Sequence, residues 1–83
     1  MKVLYFAMLR ERLNRSEQEV APPPHVVTIA DFIQWLRSED EAIDLALGSL
    51  KGFNIARDAT IVDRSAPLSD AGVIAILPPM TGG

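Results

Sequence analysis

Five consecutive apolar residues, Val73-Ile74-Ala75-Ile76-Leu77, stop abruptly at Pro78-Pro79. A short apolar run bounded by turn formers reads as a buried strand. Being apolar on both faces, it is expected at the centre of a sheet, with a neighbour on either edge. Pro78 and Pro79 have no N–H to offer, so the ladder ends there and the chain leaves extended. Counted from Pro78, the tail reaches at most about 20 Å, enough to enter a neighbouring protein. Gly82 and Gly83 carry no side chains, so the tip suits a channel too narrow for any other residue. The α-carboxylate that follows ordinarily titrates at about 3.3–3.7 and is ionised at pH 7. The chain thus divides into a folded domain, 1–77, and a tail, 78–83, whose expected reactive group is the carboxylate of Gly83.

The rest of the chain has room for one domain with a modest core, at 83 residues. With 48% hydrophobic and 23% charged residues it falls among globular chains rather than disordered ones. Cysteine is absent, which excludes a disulfide framework, a thiolate nucleophile and an iron–sulfur site. His25 is the single histidine, so a transition-metal site is not expected, and His25 itself is read as an exposed loop residue. The net charge of −3 argues against nucleic acid as a partner. No window has the 18 or more apolar residues of a membrane span, and no signal peptide opens the chain. A cytoplasmic protein with no membrane partner is the expectation.

Taken in order, Lys2 to Met8 reads as a strand with faces Val3/Tyr5/Ala7 and Lys2/Leu4/Phe6/Met8. Leu9 to Leu13 reads as a short helix closed by Asn14, with Arg10 and Glu11 a solvated pair. Ser16 to Ala21 is expected as a second strand paired with the first and stopped by Pro22-Pro23-Pro24. Thr28 and Asp31 form a variant capping box, and Ile29, Phe32, Ile33 and Leu36 make one apolar stripe, with Trp35 at its edge. Ser38-Glu39-Asp40-Glu41 reads as another capping box before Ile43, Ala46, Leu47 and Leu50, with Gly48 as the stop. The acids Glu39, Asp40, Glu41 and Asp44 crowd that helix start, where the dipole favours them. Lys51 to Ala56 is a third strand, Arg57-Asp58-Ala59 a turn and Thr60-Ile61-Val62 a fourth strand. A loop from Asp63 to Gly72, closed by a tight turn at Ser69-Asp70-Ala71-Gly72, leads into Val73. This order suits an α+β domain, a mixed sheet with its helices on one face.

The terminus Pro78-Pro79-Met80-Thr81-Gly82-Gly83 resembles the Pro-Pro-x-(Ser/Thr)-Gly-Gly ending of the molybdopterin synthase small subunit (MoaD-like) family, within the ubiquitin-like sulfur carriers. The opening, Met1 to Ala7 followed by Leu9-Arg10-Glu11, is similar to the start of that family, and the likeness extends through Thr28–Leu36 and Ala56–Gly83. Two positions depart from it. Ala71-Gly72-Val73 stands where Gly-Asp-Glu is usual, and Asp58 where Asn is common. The resemblance implies a ubiquitin-like β-grasp fold with the first and last strands parallel and adjacent at the centre. It also implies a carrier cycle. An E1-like adenylating enzyme uses ATP to activate Gly83 as an acyl-adenylate, and a persulfide-type donor replaces AMP to leave a thiocarboxylate. Pro78, Pro79, Met80, Thr81 and Gly82 then thread the active site of the synthase large subunit, in a heterotetramer. There the sulfur passes to a cyclic pyranopterin to build the molybdopterin dithiolene. The chain itself binds no cofactor in this cycle, and the catalytic side chains belong to the partners. In keeping with this, it contains no P-loop and no cysteine.

Other destinations for the same carboxylate stay open: thiazole or tRNA thiolation, a ubiquitin-like protein modifier, or an interaction module whose tail is idle. Thiazole carriers are generally shorter and lack the Pro-Pro. A partner interface follows from the first strand, because side chains of a strand alternate between faces and both faces here are apolar. With Lys2 on the set facing outward, Leu4 and Phe6 join Leu77, Pro78 and Met80 in an exposed apolar patch at the root of the tail.

Overall fold

A computed structural model describes residues 1–50 and 52–78. Strand β1 (Lys2–Tyr5) leads into helix α1 (Met8–Leu13), then strand β2 (Glu17–Glu19), helices α2 (Ile29–Glu39) and α3 (Glu41–Gly48), and strands β3 (Asn54–Arg57), β4 (Thr60–Val62) and β5 (Val73–Leu77). The five strands form one sheet in the order β2-β1-β5-β3-β4. β5 is its central strand, parallel to β1 with Leu4 opposite Ala75, and antiparallel to β3 with Asn54 opposite Leu77. This is the β-grasp arrangement.

The side chains that face the helices are Val3 and Tyr5 from β1, Ile55 from β3, and Ile74 and Ile76 from β5. They meet Ile29, Phe32, Ile33 and Leu36 of α2 and Ile43, Ala46 and Leu47 of α3, all buried. Each of the larger aliphatic and Phe side chains, fully withdrawn from water, contributes about 1.5–3 kcal/mol before the entropy of ordering is subtracted. Trp35 is half-buried beside Phe32, with ring centroids 6.0 Å apart.

The first strand is shorter than expected. It ends at Tyr5, and Ala7 turns the chain with φ 51° and ψ −127° so that α1 begins at Met8. The cause is a change of period at Leu9. Leu9 and Leu13, four apart, are both buried, a spacing that a helix serves and a strand does not. Asn14 closes α1 in the left-handed conformation, as expected from its residue type. β2 is also shorter than Ser16–Ala21, though backbone bonds from Tyr5 to Ser16 (3.0 Å) and from Val20 to Met1 (2.8 Å) carry the pairing past its ends.

Thr28 caps α2 as expected: its hydroxyl accepts from the Asp31 N–H at 3.1 Å, and the Asp31 carboxylate accepts from Thr28 and Val27, both 3.1 Å. These backbone donors hold the Asp31 carboxyl below its usual range. The cap of α3 is Asp40 rather than Ser38. Ser38 is still inside α2, its hydroxyl donating to the Trp35 carbonyl at 2.7 Å, whereas Asp40 is extended (φ −146°, ψ 111°) and accepts from the Ala42 N–H at 2.9 Å. A cap must lie outside the helix, so the break at Asp40 decides the matter. Gly48 stays within α3, and the capping residue is Ser49.

Arg15 ties this junction to the sheet. Its Nη1 donates to Asp40 Oδ2 and to Gln18 Oε1, both at 2.9 Å, and Gln18 accepts the Tyr5 hydroxyl at 2.9 Å. The guanidinium, seconded by the backbone donors of Ala42 and Ile43, holds the Asp40 carboxyl low, while burial pushes the Tyr5 phenol up.

The third strand starts at Asn54, later than expected, with Gly52 at φ 137° and Phe53 outside it; Lys51 lies outside the described residues. Arg57 belongs to β3, pairing with Thr60, so the turn is only Asp58-Ala59. Both turn residues have positive φ, 46° and 73°, as two-residue hairpins of the primed kind require.

Candidate functional site

The face of the sheet opposite the helices carries a nearly continuous apolar row. The registers set Leu4 beside Ala75, Ala75 beside Ala56 and Ala56 beside Ile61, across four strands. Ala75 and Ala56 are small, so the surface dips between taller neighbours. The result is a groove of about 350 Å³ lined by Leu4, Phe6, Ala56, Val73, Ala75 and Leu77. Phe6 is 40% exposed and Met8 43%, and Leu4, Leu77 and Pro78 are half-buried. The structure therefore brings Leu4, Phe6 and Leu77 together, on the side that the helices leave open. Phe6 reaches the groove from the turn after β1, not from the strand itself.

At one end of the groove the Asp58-Ala59 turn closes onto the start of β5. Asp58 Oδ1 accepts from the Gly72 N–H at 3.1 Å and the Val73 N–H at 3.0 Å, and the Asp58 N–H donates to the Val73 carbonyl at 2.9 Å. The departure from the family pattern acquires a physical meaning here. Val73, where the resemblance leads one to expect Glu, adds an apolar wall to the groove, and one oxygen of the Asp58 carboxylate at this corner is engaged with backbone.

At the other end, Leu77 is the last residue of β5 and Pro78 the last one described. Pro79, Met80, Thr81, Gly82 and Gly83, the tail singled out in the sequence, lie outside the described residues. What the described chain offers chemically is a surface for binding. Among the described residues no three His, Asp or Glu side chains converge as metal ligands would, and no helix is long and apolar enough to cross a membrane. His25, Arg10 and Glu11 are exposed and line none of the groove. Of the acids at the α2–α3 junction, Asp40 and Asp44 are spent on Arg15 and Arg37, and Glu39 and Glu41 are exposed.

No motif in the sequence announces a second concavity, a cleft on the helical side between Arg37 and Arg64, walled by Phe53. Its members come from α2, α3, the segment before β3 and the loop after β4, and no local spacing joins them all. Arg64 lies over the Phe53 ring although eleven residues separate them.

The sequence profile of the ThiS family matches residues 3–83. The molybdopterin synthase sulfur carrier subunit of Escherichia coli (strain K12) is 34% identical over 83 residues, covering 100% of this chain and 99% of that one. Among solved structures, SAMP1 from Haloferax volcanii is similar with a TM-score of 0.75 at 21% identity, covering 99% of this chain and 97% of that one. A Pyrococcus furiosus protein described as a putative molybdopterin converting factor, subunit 1, has a TM-score of 0.73 at 24% identity, with 94% of each chain covered. At these identities the two structures speak for the fold, which is ubiquitin-like.

Proposed function

Because this chain belongs to the ThiS family, we propose that it is a sulfur carrier and, within that class, the small subunit of molybdopterin synthase. The observation that carries this reading is the apolar groove at the root of a Pro-Pro-Met-Thr-Gly-Gly tail. A partner seated on Leu4, Phe6 and Leu77 lies where the tail leaves the sheet, so docking and delivery of Gly83 are one event. The similarity to the Escherichia coli carrier subunit along the full length supports the choice of pathway.

In this cycle the Gly83 carboxylate attacks the α-phosphate of ATP in an E1-like adenylating partner and pyrophosphate leaves. Activation has to come first, since a carboxylate is a poor electrophile and AMP a good leaving group. A persulfide-type donor then forms the acyl–sulfur bond as the acyl–phosphate bond breaks and AMP leaves. A second thiol of the donor attacks the S–S bond of the resulting acyl disulfide, is oxidised to a disulfide with the donor sulfur, and releases the thiocarboxylate. Pro78 to Gly82 carry that group into the large subunit, which supplies the catalytic side chains for transfer to the cyclic pyranopterin. The fold's part is positioning. β5 is the central strand and is held on both edges, so the tail starts from a fixed point of the sheet. The reading places the carrier's work in the cytoplasm, where ATP for the activation step is supplied.

Co-expression with an adenylating enzyme and a sulfur donor, followed by an intact-mass spectrum, tests the reading. The expected gain is the difference between one sulfur and one oxygen atom, located at Gly83. An unchanged mass under loading conditions rejects the carrier role, and Gly83 found in isopeptide linkage to lysines of other proteins assigns the chain as a modifier instead.

A further inference from the structure

On the helical side of the sheet, Phe53 directly precedes Asn54, the residue paired with Leu77 at the end of β5. The Arg64 guanidinium lies 4.4 Å from the centre of the Phe53 ring, and its Nη2 donates to the Phe53 carbonyl at 3.0 Å. The Ala30 N–H donates to the Arg64 carbonyl at 2.9 Å and so fixes this loop against the start of α2. Across from it, Arg37 Nε donates to Asp44 Oδ1 at 2.6 Å, which pins the Arg37 side chain along α3. Between them is a cleft of about 660 Å³ that also meets Ile33, itself 7% exposed, and Gln34.

The lining has two guanidiniums against one carboxylate, a positive site on a chain of net charge −3. A guanidinium has five N–H donors. Each of these two spends one on a described partner, so both keep most of their donors while already held in place. A fork fixed in this way is suited to carboxylates, which it can take bidentately. Ile33 and the Phe53 ring add apolar surface that an inorganic anion would leave unused. The occupant with the right chemistry has carboxylates and an apolar side chain together.

We propose that this cleft docks a short acidic segment of a partner protein, its carboxylates on Arg37 and Arg64 and its apolar side chain against Ile33 and Phe53. It is on the opposite side of the sheet from the Leu4/Phe6/Leu77 groove, yet close to the same end of β5. A partner held here leaves the apolar groove free for another. The use of this cleft by one of the carrier's partners rests on the function proposed above; the binding itself does not.

The test is a titration of the isotope-labelled chain with the peptide acetyl-Asp-Glu-Leu-Glu-Asp-amide, followed by NMR at the Arg37 and Arg64 Nε–H and the Ile33 methyls. Saturable shifts are expected, absent with acetyl-Asn-Gln-Leu-Gln-Asn-amide and weakened about tenfold in R37Q/R64Q. No saturable shift with the acidic peptide overturns the proposal, as do equal shifts from the amide peptide. Sodium phosphate alone reproducing the shifts shows an anion site with no peptide preference, and overturns it too. Should R37Q/R64Q lose its dispersed spectrum, R37K/R64K keeps the charge without the planar fork, and the wild-type titration decides on its own. Sulfur loading plays no part in the measurement, so failure here and failure of the carrier reading are separate results.

Discussion

A single oxygen of Asp58 accepts the backbone N–H groups of both Gly72 and Val73, at 3.1 and 3.0 Å. The β3–β4 turn is thereby fastened to the first residue of the strand that leads to the tail. Asp58→Ala removes both bonds and puts alanine at φ 46°, so a loss of about 1–2 kcal/mol is expected in urea denaturation. Asp58→Asn keeps a carbonyl acceptor and tolerates the same backbone, and should stay within about 0.5 kcal/mol of wild type. Equal losses in the two variants would show that charge, not the paired acceptor, does the fastening.

Ala59, the next residue, has φ 73°, a conformation that costs an alanine and not a glycine. Ala59→Gly should therefore stabilise the fold by about 0.5–1 kcal/mol, net of the extra freedom glycine gains when unfolded. A destabilised variant means that the methyl group's place beside the groove outweighs the backbone strain.

Phe6 is 40% exposed and stands at the groove. Phe6→Asp should weaken binding to the synthase large subunit by about 2 kcal/mol or more, the loss typical of a central anchor, with little change in melting temperature. Calorimetric titration measures the first and thermal unfolding the second. An unfolded variant would assign Phe6 to the core.

Asp31 and Asp40 both have carboxyls held below the usual range, by the backbone of Thr28 and by Arg15 respectively. Such a group binds fewer protons folded than unfolded. Its stabilisation is complete above the unfolded pKa of about 3.9 and is lost as pH falls through the lower folded value. The melting temperature should hold from neutral pH down to about 5 and fall below about 4. Asp40→Asn remains a good cap but has nothing to titrate, so its decline in acid should be shallower. An unchanged slope would remove Asp40 from the acid response.

Gly82→Val should leave thermal stability within about 0.5 kcal/mol of wild type, because the position follows Pro78-Pro79 in sequence, after the last described strand. In single-turnover sulfur transfer it should be severely impaired, since a β-branched side chain will not follow a path shaped for glycine. Transfer at the wild-type rate shows that the path is wide and the Gly-Gly incidental.

What the sequence determined by itself is whatever has a local signal. The five-residue run at Val73–Leu77 and the Pro-Pro after it set the central strand and its end, and both bounds hold in the structure. The Thr28–Asp31 capping box and the stripe Ile29, Phe32, Ile33, Leu36 set α2, because partners three and four residues apart meet on any helix. Asn14 stops α1 for an equally local reason, its tolerance of φ 55°. The alternation of side chains along β1 likewise sends Leu4 away from Val3 and Tyr5 wherever the strand is placed.

Only the tertiary structure decided the rest. β1 and α1 share one apolar run, and which residue turns between them depended on Leu9 and Leu13 finding the core together. Asp40 displaced Ser38 as the cap because the break between α2 and α3 falls there, where Arg15, 25 residues earlier in the chain, also meets it. The groove needed Ala56 and Ala75 to fall in one row, a matter of register between strands that no window of sequence contains. The cleft of Arg37, Arg64 and Phe53 is further still from local reading. Its three parts are brought together by the packing of the helices on the sheet, and a charge in a sequence carries no mark of what will face it.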